Sequence, residues 1–284
     1  MVDRICISIN NRCNLNCKYC HFHEKEQTEN VTMDVFEILA NVKAYADHTF
    51  KIGFVGSGEP LLNIDKLREY LTFIEDDPYI QTYTITNGTI ALEDEDWIFL
   101  EKHNVNVGFS LDGCRELHNL YRCNTFDRVT ANVERYRSVV GHYPTFNATV
   151  GPETIRNADE VIEFFAQFGT RITFSRMIGR YGISLDEYRD FMDMAETKLY
   201  VRRGGLDCTM YGGMCGAGTN NYFFSNGKIF LCGNCIDLSP VGDSGMSFYD
   251  LERLSLSFDR NKCYKESLCG LDCMGCQQPE NHIF

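Results

Sequence analysis

Apolar positions in the first two hundred residues alternate between two periods. Short runs in which every second residue is apolar, or which are rich in β-branched and aromatic residues, predict strands at Arg4–Ile9, Lys51–Val55, Thr82–Thr86, Val105–Leu111, Thr145–Val150 and Arg171–Met177. Between them, apolar residues three and four apart predict helices at Met33–Ala46, Ile64–Ile74, Glu93–His103, Asp127–Val140, Ala158–Phe168 and Leu185–Tyr200. Asn157 with Glu160, and Ser184 with Glu187, have the spacing of a capping box, and Gly169 suits a left-handed residue closing a helix. Strand and helix taking turns is the pattern of a parallel sheet with crossover helices. Six such units with right-handed connections curl into a partial barrel, with chemistry expected at the C-terminal strand ends.

From about Gly204 the pattern gives way to glycine, cysteine and short strand-like pieces, Asn221–Ser225 and Lys228–Leu231, joined by a turn at Asn226-Gly227. The expected organisation is therefore α/β, with a partial (β/α)6 barrel over residues 1–203 and a small cysteine-rich domain over residues 204–284.

Composition narrows the setting. Hydrophobic residues at 44% and charged residues at 24% are ordinary for a globular chain. No apolar run is long enough to span a membrane. The start, Met1-Val2-Asp3-Arg4-Ile5-Cys6, enters the first strand without a tripartite secretion signal, so a cytoplasmic location is expected. Because that strand begins at residue 4, no N-terminal domain for grasping a leader peptide is expected. A formal charge of −13 argues against nucleic acid as partner, since that affinity comes from Lys and Arg on phosphates. A basic peptide or a small molecule is easier to accommodate.

The fourteen cysteines change the picture most. A reducing compartment and a chain of this size argue against disulfides and for metal. Directly after the first predicted strand, Cys13-Asn14-Leu15-Asn16-Cys17-Lys18-Tyr19-Cys20 forms a C-x3-C-x2-C loop. Three thiolates can hold a four-iron cubane while leaving one iron open to an external chelating group. Zinc is the alternative, although it prefers four closed ligands, often in C-x2-C pairs.

The loop resembles the signature of the radical S-adenosylmethionine (radical SAM) superfamily. Three further strand ends extend the likeness: Gly56-Ser57-Gly58-Glu59-Pro60, similar to the family's Gly-Gly-Glu-Pro with serine in place of one glycine; Thr86-Asn87-Gly88; and Ser110-Leu111-Asp112-Gly113, followed by His118 and Arg122. This last stretch resembles enzymes that modify peptides and activate sulfatases. The resemblance implies that Cys13, Cys17 and Cys20 hold the cluster that binds S-adenosylmethionine. It also implies cofactor contacts from Gly56, Ser57, Gly58, Glu59, Asn87 and Ser110, with Arg122 meeting the methionine carboxylate. Tyr19 either touches the adenine or packs the loop, and His118 either serves the site or packs. Cys6 reads as a small buried hydrophobe. Cys114 and Cys123 read as packing residues or as hydrogen-atom donors.

Eight cysteines fill the last quarter. Cys215, Gly227 and Cys232 fit C-x(9 to 15)-G-x4-C, and Cys263, Cys269 and Cys273 fit C-x5-C-x3-C. Both resemble the SPASM extension of the superfamily, although Arg260 stands where that pattern expects a further cysteine. The resemblance implies two auxiliary four-iron clusters, one on Cys208, Cys215, Cys232 and Cys273, the other on Cys235, Cys263, Cys269 and Cys276. In this assignment Cys235 replaces the missing ligand; an incomplete second cluster with an open iron, a single auxiliary cluster, or structural zinc stays open.

The implied cofactors are S-adenosylmethionine and three [4Fe-4S] clusters, with flavodoxin or ferredoxin as reducing partner. The implied reaction is hydrogen-atom abstraction leading to a thioether or carbon-carbon crosslink, or a side-chain oxidation, in a ribosomally made peptide or protein. A small-molecule dehydrogenase of antibiotic biosynthesis, a peptide epimerase and a non-catalytic zinc or iron-sulfur electron-transfer module are the alternatives. No residue identifies the general base.

Overall fold

The computed structural model describes residues 1–20, 32–177, 181–201, 216–233, 236 and 239–255. Of the C-terminal cysteines it describes Cys232; Cys208, Cys215, Cys235, Cys263, Cys269, Cys273 and Cys276 lie outside the described residues.

Six strands, β1 (Arg4–Ile7), β2 (Phe50–Phe54), β3 (Ile80–Thr86), β4 (Asn106–Ser110), β5 (Thr145–Val150) and β6 (Ile172–Arg176), lie side by side in chain order, and every neighbouring pair is parallel. The connections carry the helices: α1 (Thr32–Tyr45), α2 (Ile64–Ile74), α3 (Asp94–Lys102), α4 (Arg115–Tyr121), α5 (Phe126–Val140), α6 (Pro152–Arg156) and α7 (Ala158–Ala166). After β6 comes α8 (Leu185–Glu196), opened by the reciprocal Ser184–Glu187 capping box that the sequence signals. The matching expectation at Asn157 and Glu160 is corrected. Asn157 makes no side-chain cap hydrogen bond, because it also closes the preceding short helix α6 and its amide side chain donates back to the Glu153 carbonyl. Gly169 adopts the expected left-handed conformation, φ +59°.

Burial decides what kind of sheet this is. Parallel sheets covered on both faces read as continuous apolar runs. Here the strands alternate instead. Ile5, Ile7, Ile52, Phe54, Val107, Phe109, Phe146, Ala148, Ile172 and Phe174 are buried in the core shared with the helices. Their neighbours Arg4, Cys6, Lys51, Tyr83, Gly108, Asn147 and Thr173 line a cavity of about 460 Å³ on the other face. The helices thus seal one face, and the concave face carries polar and charged side chains among apolar ones such as Val55 and Phe223. Gly53 on β2 makes room inside it, since a Cβ there would stand 2.3 Å from the Tyr83 ring.

The sheet does not end at β1. Strand β7 (Asn221–Ser225) runs parallel to it, pairing Arg4 with Asn221 through Ile7 with Phe224. A hairpin then leads antiparallel into β8 (Lys228–Phe230), followed by β9 (Gly242–Asp243). Asn226 (φ 51°) and Gly227 (φ 70°) both have positive φ, as a two-residue type I′ turn requires. Helix α9 (Phe248–Ser255) follows; Phe248 and Leu251 are buried, and the Tyr222 hydroxyl donates to the Leu251 carbonyl. Segments on both sides of position 204 therefore share one nine-stranded sheet among the described residues. Among them, no helix is long and apolar enough to cross a membrane.

Candidate active site

The C-terminal ends of β1 to β4 converge on the loop that carries Cys13, Cys17 and Cys20, and each strand end holds it by a different contact. At the β2 end, the Glu59 N–H donates to the Arg12 carbonyl (2.8 Å), while Asn10 accepts from the Arg12 N–H (2.7 Å) and donates to the Glu59 carbonyl (3.2 Å). The backbones approach so closely that a Cβ on Gly58 would lie 2.3 Å from the Arg12 carbonyl oxygen. Only glycine fits there without moving a backbone.

Glu59, 2% exposed, turns its carboxylate into the protein. Oε1 accepts from the Leu61 N–H (3.0 Å) and the Thr86 hydroxyl (2.8 Å), and Oε2 from the Asn87 N–H (2.6 Å). Burial pushes its carboxyl up to about 7, against these hydrogen bonds, which favour the anion. In this geometry Glu59 clamps the ends of β2 and β3 together. The neighbouring Ser57 hydroxyl is buried and has no hydrogen-bond partner among the described residues.

The β3 end reaches the cysteine loop directly. The Asn87 amide donates to the Asn14 side chain (2.8 Å) and stands 3.8 Å from Cys13 Sγ; Asn14 in turn donates to the Thr89 hydroxyl (2.8 Å). Asn87 Oδ1 accepts from both the N–H and the hydroxyl of Thr89, which fixes the orientation of its amide.

At the β4 end the organiser is Asp112, which is buried. Its Oδ2 accepts from the Tyr19 hydroxyl (2.7 Å) and from Arg122 Nε (2.8 Å), and its Oδ1 from the Thr149 N–H of β5 (3.0 Å). Desolvation opposes the charge on Arg122, but the adjacent Asp112 outweighs it and holds the guanidinium firmly protonated. Tyr19 thus points its hydroxyl inward, with the Arg122 guanidinium 5.4 Å from its ring centre and the Tyr121 ring 5.6 Å away. The far limb of the loop is held by the Lys18 N–H to the Tyr121 carbonyl and the Asn16 N–H to Cys123 Sγ (3.3 Å). Ser110 is buried at the same strand end.

His118 belongs to the frame. Its Nδ1 accepts from the Asp112 N–H, and its Nε2 faces the Thr125 hydroxyl, which itself donates to the Arg122 carbonyl. That chain of donors requires a neutral ring protonated on Nε2. Burial agrees, lowering its pKa to about 4.

Among the described residues, the three thiols of the loop, Cys13, Cys17 and Cys20, form no disulfide. Cys20 lies within electrostatic range of both Cys13 and Cys17. Burial pushes the Cys13 thiol up and the Cys17 thiol to about 12, so metal binding would release their protons.

The motifs carrying Cys13, Cys17, Cys20, Tyr19, Gly56 to Glu59, Asn87, Ser110 and Arg122 are expected near one another, and the strand ends that hold them do lie together. The bracing roles of Asn10, Asn14, Thr89, Asp112 and Thr149 are not read from the spacing; the available signal was their polar character within the motifs (Asn14, Asp112) or near them (Asn10, Thr89, Thr149). Cys6 needs correction. Expected as a small buried hydrophobe, it is only half-buried, because an even step along β1 from Arg4 turns it to the concave face, where it lines the cavity with its Sγ 3.3 Å from the Tyr83 hydroxyl. Cys232 lines the same cavity. Cys114, half-buried at the start of α4, and Cys123, exposed, are not among the residues that line it.

The sequence profile of the Radical SAM superfamily matches residues 7–165. A cysteine-type anaerobic sulfatase-maturating enzyme of Clostridium novyi (strain NT) is 29% identical over 170 residues, which cover 54% of this chain and 45% of that protein. The chain thus spans about half the length of the curated relatives it matches. Among solved structures, native anSMEcpe with bound AdoMet and Cp18Cys peptide superposes with a TM-score of 0.73 at 20% identity, over 99% of this chain and 91% of that one. Streptococcus suis SuiB bound to precursor peptide SuiA gives 0.74 at 17% identity, over 97% and 71%. At these identities the structural likeness is one of fold.

Proposed function

The chain belongs to the radical SAM superfamily, and from that premise we propose that it removes a hydrogen atom from a peptide or protein substrate and completes an oxidative modification, a crosslink or a side-chain oxidation. The observation that carries the reading is the three-cysteine loop braced by the ends of β2, β3 and β4. Cys13, Cys17 and Cys20 would hold a [4Fe-4S] cluster. The donor set suits it: three thiols in one loop, with a buried Ser57 hydroxyl in the adjoining strand end that has no partner among the described residues. When bound, the cluster supplies the electron that splits S-adenosylmethionine and yields a 5′-deoxyadenosyl radical.

The chain's own residues hold and orient. Ser57 offers its hydroxyl to the amino group of the methionine moiety, beside the backbone of Gly56 and Gly58. Arg122, oriented through Nε by Asp112, offers its remaining N–H groups to the methionine carboxylate, a charge-assisted contact. Ser110 and Asn87 complete the rim. Glu59 acts as a clamp between two strand ends.

The peptide substrate is supported by the contents of the two structures of like fold, one holding the Cp18Cys peptide and the other the precursor peptide SuiA. The C-terminal cysteines, Cys232 among them, are proposed to hold two auxiliary clusters that accept the second electron, giving about twelve irons per chain. A flavodoxin or ferredoxin is the proposed donor, and the cytoplasm, where thiols stay reduced, the proposed setting.

The test is anaerobic incubation of the reconstituted protein with S-adenosylmethionine, a reductant and candidate precursor peptides, read by mass spectrometry. The proposal expects a loss of two hydrogens per event. An unchanged mass with deuterium uptake from solvent would replace oxidation with epimerisation, and turnover of small alcohols but no peptide would replace the substrate class.

A further inference from the structure

The concave face of the sheet carries a charge pattern opposite to that of the chain. The protein has 40 acidic and 27 basic residues. Yet Arg4, Lys51 and Arg171 line the cavity of about 460 Å³, and no Asp or Glu does among the described residues. Among the described residues, Lys51 and Arg171 have no ion-pair partner and the buried Arg171 Nε has no hydrogen-bond partner. A buried guanidinium nitrogen left without an acceptor is costly, so a site of this kind suits a ligand that supplies one.

We propose that this cavity binds an anionic group of the substrate, a carboxylate or a phosphate, between Lys51 and Arg171 with Arg4 beside them. The assignment of that anion to a substrate rests on the radical SAM reading above. Arg4 and Lys51 are paired in register on neighbouring strands, which puts their backbones about 4.8 Å apart. Gln81, Asn106 and Asn147 add neutral donors along the wall. The volume is that of a small-ligand site.

Position gives the anion a purpose. Lys51 lies four residues before Val55, roughly 13 Å along the strand, and Val55 directly precedes the Gly56–Glu59 loop at the candidate active site. An anion anchored at the strand starts leaves the rest of the substrate extended toward the cysteine loop. The same cations repel a protonated amino sugar, which sets the pocket against aminoglycoside-type substrates.

The test uses the anaerobic, cluster-loaded protein with S-adenosylmethionine and titrates it calorimetrically with tri-glutamate, tri-glutamine, tri-lysine and inorganic phosphate. The proposal expects tri-glutamate or phosphate to bind at least roughly tenfold more tightly than tri-glutamine, tri-lysine not to bind, and the preference to shrink as salt rises. Which anion wins identifies the group. Arg171→Gln and Lys51→Gln should each weaken it roughly tenfold, with Arg171→Lys retaining most of the affinity. Equal binding of tri-glutamine, binding of tri-lysine, or indifference of both Gln variants would overturn the proposal. If the variants fail to fold, the four-ligand series on the unaltered protein decides. Release of 5′-deoxyadenosine is followed in the same samples; its absence counts against the functional reading, whereas the anion preference alone judges the cavity.

Discussion

Replacing Asp112 by asparagine should cost more stability than any other single change at the candidate site. Asp112 and Arg122 meet at 2.8 Å, with side-chain exposures of 0% and 10%. Unit charges near 4 Å at an effective dielectric of 20 attract by about 4 kcal/mol. Breaking a buried pair by removing one partner costs about 3–5 kcal/mol, because the other charge is stranded. The substituted amide could still accept from the Thr149 N–H, but one heavy atom cannot serve the Tyr19 hydroxyl and the Arg122 Nε as the carboxylate Oδ2 does. With an unfolding entropy of about 0.6 kcal/mol/K for a chain of this length, the thermal midpoint of the metal-free protein should fall by roughly 5–8 °C. The double variant Asp112→Leu with Arg122→Met, which removes both charges, should lose less than Asp112→Asn alone. A loss under about 1 kcal/mol for Asp112→Asn, or no relief in the double variant, would refute the assignment of Asp112 as the electrostatic hub.

Three further expectations follow from the same contacts. Gly58→Ala should drive a Cβ into the Arg12 backbone, displace the cysteine loop and lower the iron retained after anaerobic reconstitution, while far-ultraviolet circular dichroism stays near that of the parent. Asn87→Ala should cost about 1–3 kcal/mol, through the Asn14 and Thr89 partners it strands, with faster loss of the cluster to a chelator. His118, neutral in the fold with its pKa lowered to about 4 against an ordinary 6.5, makes stability full above pH 6.5 and declining as pH falls toward 4, by up to roughly 3 kcal/mol. His118→Gln should flatten the thermal midpoint in that window relative to the parent protein, and parallel curves would remove His118 as the cause.

The six parallel strands were legible because each carries its own local pattern, and the strand-end motifs followed from them. What the pattern could not convey is one-sidedness. Lys51, Gln81, Asn147 and Thr173 look like the polar half of an alternating strand, and only the assembly of the strands into one sheet turns them into the wall of a cavity. Strand β7 was legible as a strand but not as the partner of β1, since that pairing joins residues more than two hundred positions apart. Helices α4 and α6 are one or two turns long and lack a clear period, so the sequence predicts neither, and Asn157 reads as the start of one helix when it also ends another. In the site, cysteines and glycines announce themselves by spacing. Asp112 stands in a motif, but its bracing role does not show there, because it comes from three donors on three different segments.

The most direct measurement is the release of 5′-deoxyadenosine from S-adenosylmethionine by anaerobically reconstituted, reduced protein. The account predicts brown, iron- and sulfide-containing protein that releases it, with Cys17→Ala abolishing the release. Colourless protein that carries only zinc and leaves S-adenosylmethionine intact would contradict it.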